Sequence, residues 1–143
     1  GVYLAQDESS LFFLVSELFQ NEVNHTLLLQ EFIAESGGTD IRVFVIGEKV
    51  FGAMMRRAPA GDFRSNIALG GTGEMVEISE EEKRIALAAT RALDLDFAGI
   101  DLIRSRRGSL ILEVNSNPGF EAFEKVTGVD IAQGLVELLS RKS

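Results

Sequence analysis

Cysteine and tryptophan are absent from these 143 residues, histidine occurs once, at His25, and proline only twice. Without cysteine there is no disulfide framework, no thiolate metal site and no thiol nucleophile. One histidine argues against multi-histidine metal sites and against a Ser-His-Asp triad. No stretch approaches the roughly 18 apolar residues of a membrane-spanning helix, so no membrane partner is expected. Bases are the scarcer charge, 14 Lys and Arg against 22 Asp and Glu, and the net charge is −8. That excludes a general nucleic-acid binder, although a local basic cluster could still meet phosphate. The opening Gly1-Val2-Tyr3-Leu4 has no initiator methionine, no charged n-region and no signal-peptide pattern, and cytoplasm is the default expectation. Chemistry here must run on carboxylates, arginines, amides and backbone groups.

What is present reads as a globular α+β chain. Hydrophobic residues make up 45%, and the length is that of about one domain with a real core. Helical periodicity runs from Glu8 to Gln20, through Leu11, Phe12, Val15, Leu18 and Phe19, with Asp7 as N-cap. Ser79-Glu80-Glu81-Glu82 matches a capping box and predicts a helix from about Glu80 to Leu93. Its apolar stripe is Ile85, Ala88, Ala89 and Ala92. A last helix starts after Asp130 and buries Ile131, Leu135, Leu138 and Leu139. All three stripes read as core packing. Strand-like runs cover Thr26 to Phe32, Ile41 to Ile46, Val50 to Met55, Glu74 to Ile78, Phe97 to Ile103 and Leu110 to Val114. Gly47-Glu48 reads as a tight hairpin. Short connections imply a mostly antiparallel sheet with flanking helices. Arg56 to Gly73 is a long irregular stretch, and such a loop is usually functional or disordered.

The sharpest signal is a pair of apolar strands that each carry an acid, Phe97-Ala-Gly-Ile-Asp-Leu-Ile103 and Leu110-Ile-Leu-Glu-Val114. Unpaired buried carboxylates cost several kcal/mol, so each needs a partner. A three-residue loop Arg106-Arg107-Gly108 would set Ser105 opposite Ser109 and Asp101 opposite Glu113. Opposed residues share a face, and Asn115 would point the same way. Two carboxylates and an amide suit magnesium or manganese rather than zinc. Two other readings stay open: neutralisation by Arg104, Arg106 or Arg107, or half-exposed strands with polar outer faces. A two-residue turn would send the acids to opposite faces.

Within the long loop, Gly61-Asp62-Phe63-Arg64-Ser65-Asn66 groups an arginine, a hydroxyl and an amide beside glycines, a composition that can receive an anion or simply be solvated. Phe63 reads as an anchor to the core, and Arg56 and Arg57 as outward charges.

Together, Gln30-Glu31-Phe32-Ile33, Gly37-Gly38-Thr39-Asp40-Ile41-Arg42, Gly61 to Asn66, Gly99-Ile100-Asp101-Leu102 and Glu113-Val114-Asn115-Ser116-Asn117-Pro118-Gly119 resemble the ATP-grasp superfamily. More narrowly they are similar to its RimK-like branch of ribosomal-protein glutamate ligases, over about residues 1 to 135. The resemblance implies an adenine-binding hinge at Glu31 and Phe32 and a ribose contact at Asp40. It implies that Arg64, with Ser65 and Asn66, meets the phosphates or the acyl phosphate, Arg64 serving catalysis. It implies magnesium or manganese at Asp101, Glu113 and Asn115. The reaction it implies activates a carboxylate with ATP as an acyl phosphate, which an amine attacks to form an amide; glutamate is the expected amino acid and a protein the expected acceptor. Such enzymes carry an N-terminal domain, an upstream lysine and a glycine-rich phosphate loop, and this chain starts where that loop ends. The resemblance therefore implies a single domain over 1–143, the C-terminal subdomain of an ATP-grasp, with weak nucleotide binding and no ligation of its own. Two alternatives remain at this point: an ATP-grasp amino-acid ligase with a carrier-protein or cofactor acceptor, and a non-catalytic acidic α+β interaction module whose acids are structural.

Overall fold

The computed structural model describes residues 2–21, 26–60, 62 and 70–142. They form two compact units, Gly1–Phe32 and Ile33–Ser143.

The first unit carries α1 (Glu8–Asn21). Asp7 caps it as the sequence predicts: its carboxylate accepts from the Ser10 N–H at 2.7 Å, and the Ser10 hydroxyl accepts from the Asp7 N–H at 3.0 Å. The expected burial of its apolar stripe does not occur. Phe12 is 63% exposed and Phe19 56%, and Leu11, Val15 and Leu18 are only half-buried. A unit this short cannot enclose a core, since below about 40 residues a chain lacks the volume to surround one. Thr26 to Phe32 forms no strand either. A strand needs a neighbour for its backbone groups, and among the described residues of this unit none pairs with it.

The second unit is built on five antiparallel strands in the order β3-β2-β1-β4-β5. They are β1 (Thr39–Ile46), β2 (Lys49–Arg57), β3 (Thr72–Met75), β4 (Phe97–Ser105) and β5 (Gly108–Asn115). Gly47-Glu48 closes the β1–β2 hairpin, and Gly47 takes the positive φ of 59° that primed turns need at their first loop position. The sheet's alternation splits its residues between two cores. Ile41, Val43 and Val45 point with Ala53, Ile100 and Leu102 toward α2 (Glu80–Ala92). Phe44, Ile46 and Met54 point the other way, toward α3 (Glu121–Thr127) and α4 (Ile131–Lys142). The Phe44 and Phe123 rings lie 4.5 Å apart there.

Helix α2 has its expected capping box: Ser79 accepts from the Glu82 N–H, and Glu82 accepts from the Ser79 N–H. Its buried face is turned from the predicted one. Glu82, Ala86, Ala89 and Thr90 are buried, Ile85 is half-buried, and Ala88 and Ala92 are exposed. The turn is explained by Glu82, whose carboxylate takes the Arg104 fork at 2.7 and 2.9 Å and the Ser109 hydroxyl at 2.9 Å. These bonds tie the helix start to the β4–β5 hairpin and draw the Glu82 side of the helix inward. Strand β3 lies at 72–75 rather than 74–78, because the chain must leave the sheet to reach the Ser79 cap. Helix α3 has no counterpart in the sequence reading; about two turns with a single buried residue, Phe123, give almost no periodicity. In α4, Ile131 is buried and Leu135 and Leu138 pack on the core as expected, but Leu139 is 64% exposed.

Candidate active site: an arginine–carboxylate face

Helices α3 and α4 cover only part of their side of the sheet. On that face lie Asp40 and Arg42 of β1, Arg56 of β2, Asp101 of β4, and Glu113 and Asn115 of β5. Register sets them side by side: Asp40 opposes Arg56, Arg42 opposes Asp101, Asp101 opposes Glu113, and Gly99 opposes Asn115.

The pairing of Asp101 with Glu113 is the predicted one, reached by a different route. The β4–β5 loop has two residues, Arg106 and Arg107, with Ser105 opposite Gly108 rather than Ser109. A two-residue loop alone would have put Leu112 opposite Asp101 and turned Glu113 toward α2. The register instead jumps from Leu102–Ile111 to Asp101–Glu113, a bulge that leaves Leu112 without a partner. One extra residue in one strand restores the face of everything beyond it.

Asp101 is 4% exposed and is neutralised by arginines of β1 and β2, not by those of its own hairpin. Arg42 grips it with two parallel bonds, Nε to Oδ1 at 2.8 Å and Nη2 to Oδ2 at 2.7 Å. Arg56 adds a third bond from Nη2 to Oδ2 at 2.7 Å. Arg56 also forks onto Asp40 at 2.7 and 2.6 Å. The sequence reading set Arg56 outward beside Arg57; only Arg57 is exposed, while Arg56 is 6% exposed. Burial works against the Arg56 charge, but Asp40 and Asp101 outweigh it and hold the guanidinium more firmly protonated than usual. Arg104 is engaged by Glu82 on the opposite face.

Glu113 is exposed, and its carboxylate makes no hydrogen bond or ion pair with the described residues. Asn115 accepts the Asn117 N–H on its side-chain oxygen at 2.9 Å, which folds the 115–118 turn. Pro118 then packs over Gly99: a Cβ at Gly99 would lie 2.7 Å from the Pro118 ring and 3.7 Å from the Arg42 stem. Glycine at 99 is what lets this turn and Arg42 crowd toward Asp101.

Among the described residues this face holds two arginines, Arg42 and Arg56, and three acids, Asp40, Asp101 and Glu113. Asp101 keeps one acceptor direction on Oδ1, and Asn115 keeps a second lone pair on its oxygen. Among the described residues no group of three or more His, Cys, Asp or Glu could hold a metal. Beside Asp101 the face offers one further carboxylate, Glu113, and the Asn115 amide. An oxygen-only set of this size fits magnesium or manganese, which complete their shells with water and phosphate oxygens.

Of the predicted site residues, Asp40, Asp101, Glu113 and Asn115 share this face. Glu31 and Phe32 belong to the first unit, where both are exposed. Arg64, Ser65 and Asn66, and the expected Phe63 anchor, lie outside the described residues. Arg42 and Arg56 were not singled out for a site role. The available signal was alternation: both stand two residues along from a residue of the aromatic core face, Phe44 and Met54.

The sequence matches the family described as the RimK-like ATP-grasp domain over residues 1–139. The chain belongs to that family. It is 49% identical over 142 residues to the "Probable alpha-L-glutamate ligase" of Parasynechococcus marenigrum, covering 99% of this chain and 30% of that protein. It is 46% identical over 148 residues to "Probable alpha-L-glutamate ligase 1" of a Shewanella species, strain MR-4, covering 100% of this chain and 48% of that protein. The chain thus spans 30% to 48% of these curated relatives' length. Among solved structures it resembles ATP-grasp ligase PsnB complexed with a phosphomimetic variant of its minimal precursor, Mg and ADP, at 29% identity and a TM-score of 0.59 over 74% of this chain and 33% of that one. D-alanine–D-alanine ligase from Bacillus anthracis, complexed with ATP, shares the fold at 20% identity with a TM-score of 0.68, covering 98% of this chain and 48% of that one. The α+β fold with its antiparallel sheet is that of the ATP-grasp ligases.

Proposed function

We propose that this chain is the metal-bearing, C-terminal portion of an ATP-grasp domain in an ATP-dependent carboxylate–amine ligase that adds glutamate to a protein or peptide acceptor in the cytoplasm. The observation that carries the reading is the Glu113 carboxylate, unpaired among the described residues, opposite Asp101 and with Asn115 beside it on the arginine–carboxylate face of a RimK-like ATP-grasp sheet. The names of the relatives support glutamate, and the precursor peptide bound by PsnB supports a peptide acceptor.

In this reading Asp101, Glu113 and Asn115 hold one or two magnesium or manganese ions, which would supply charge neutralisation for the ATP phosphates. Arg42 borders the same space and, once released from Asp101, can meet phosphate oxygens bidentately, while Arg56 stays forked onto Asp40. Arg64, Ser65 and Asn66 meet the phosphates or the acyl phosphate, Asp40 stands by the ribose, and Glu31 and Phe32 carry the adenine. The acceptor carboxylate takes the γ-phosphoryl group of ATP with release of ADP, and the glutamate amine attacks the acyl phosphate to form the amide, losing a proton and expelling inorganic phosphate. Alignment and charge neutralisation do the work, and no covalent enzyme nucleophile is required.

The test is thermal unfolding of this chain with ADP or ATP, with and without magnesium, followed by glutamate incorporation in the longer protein. A midpoint that rises only when nucleotide and metal are both present supports the reading. Loss of that rise, and of incorporation, in Glu113→Gln ties it to this face. The pairing of Asp101 with arginines also favours a second reading, a non-catalytic module with structural acids. In that case Glu113→Gln leaves both measurements unchanged.

A further inference from the structure

Half of the candidate metal site is masked and half is open. A carboxylate offers about four lone-pair directions, and Asp101 gives three of them to guanidinium N–H groups, two from Arg42 and one from Arg56. Glu113, directly across the strand pair, gives none to any described residue. A cation finds one open direction on Asp101, on Oδ1 beside the Arg42 Nε; to bind through Oδ2, or through both oxygens, it must displace an arginine.

The two arginines are not equally able to yield. Arg56 has an 8% exposed side chain and a second acid, Asp40, to which it is forked. It can lose Asp101 and stay paired, but it cannot leave. Arg42 has a 16% exposed side chain, and its one acid partner among the described residues is Asp101. Released from Asp101, it is a nearly buried charge in need of an anion, and such a charge is strongly unfavourable alone.

We infer that Arg42 is a positioning residue that acts as the resident counter-ion of the metal site, occupying Asp101 until a cation and an anion arrive together. The inference rests on the proposed metal reading of Asp101 and Glu113. A bare divalent cation meets competition from the Arg42 fork and binds weakly. A cation that brings an anion of its own, such as a metal-bound polyphosphate, offers Arg42 a replacement partner, so Asp101 is given up at little cost. The device disfavours loading of the site by metal alone and couples metal entry to the phosphate-bearing ligand.

Manganese binding to this chain, without nucleotide and read by the electron paramagnetic resonance of the free ion, tests it. Arg42→Gln removes the competing fork and is expected to tighten manganese binding about tenfold, in keeping with the loss of charge-assisted bonds. Arg42→Lys keeps the charge but not the bidentate geometry and is expected to tighten it by less. Glu113→Gln is expected to weaken manganese binding in both the native and the Arg42→Gln backgrounds. Unchanged or weaker binding in Arg42→Gln, with Glu113→Gln still weakening it, overturns the counter-ion role and leaves the metal site standing. If Glu113→Gln has no effect, or if no variant binds manganese, the metal reading fails and this inference with it. Should Arg42→Gln not fold, as judged by circular dichroism, unchanged affinity in Arg42→Lys overturns the proposal by itself.

Discussion

Glu113 and Asp101 stand opposite each other, yet they respond differently to loss of charge because only one of them has partners. Asp101→Asn leaves Arg42 and Arg56 facing a neutral amide in a buried place and is expected to cost about 3 kcal/mol in urea unfolding. Glu113→Gln removes a charge that nothing described compensates, and it should change stability by no more than about 0.5 kcal/mol. Glu113 is therefore the residue at which ligand binding and folding can be told apart. Glu82, on the other face, is a structural carboxylate. The Arg104 fork, with the Ser79 N–H and the Ser109 hydroxyl, outweighs its burial and lowers its pKa from 4.5 to about 2. A depressed carboxylate stabilises the fold above its unfolded pKa, and that contribution is lost as pH falls from about 4.5 toward 2. Urea midpoints should fall over that window in the native chain and fall less in Glu82→Gln. Glu82→Ala should cost about 2–3 kcal/mol, below the figure for a fully buried pair because Arg104 can turn to water.

At the scale of elements, the β4–β5 hairpin shows how a site can depend on one irregularity. Its two-residue loop and its bulge at Leu112 each displace the register by one, and together they return Glu113 and Asn115 to the face of Asp101. The 115–118 turn then closes against Gly99, where no side chain fits beneath Pro118. Gly99→Ala should push Pro118 and the turn away from β4 at a cost of about 1–3 kcal/mol in thermal or urea unfolding. Manganese binding should weaken in the same variant, because Asn115 belongs to the displaced turn. A fold that tolerates alanine at 99 with full stability and full metal binding would contradict the close approach.

For the whole molecule, the sheet of the second unit divides its tasks between its sides. One side is covered by α2 and holds the aliphatic core; the other is partly covered by α3 and α4 over an aromatic core and carries the charged face beyond them. Phe123 is the main plug of the second core, 1% exposed and set against Phe44. Phe123→Ala should cost about 3–5 kcal/mol in chemical unfolding, as large aromatic deletions from a packed core do. Among the described residues no helix is long and apolar enough to cross a membrane.

Periodicity, capping and turn chemistry are local properties, and what rests on them could be read from the sequence. The span of α2 with its capping box, the Asp7 cap of α1, the Gly47-Glu48 hairpin, the strands β1, β2, β4 and β5, and the spacing of Asp101, Glu113 and Asn115 all belong to this group. Partnership across the sheet is not local. Arg42 and Arg56 look like ordinary strand charges until register brings them against Asp101 and Asp40, residues 59 and 16 positions away in sequence. The Leu112 bulge, the rotation of α2 about Glu82 and the short helix α3 likewise follow from packing and pairing between distant segments. The sequence by itself determined which acids could form a site; tertiary structure decided that one of them is held by two arginines while the other stands open, because only strand register fixes which charges meet.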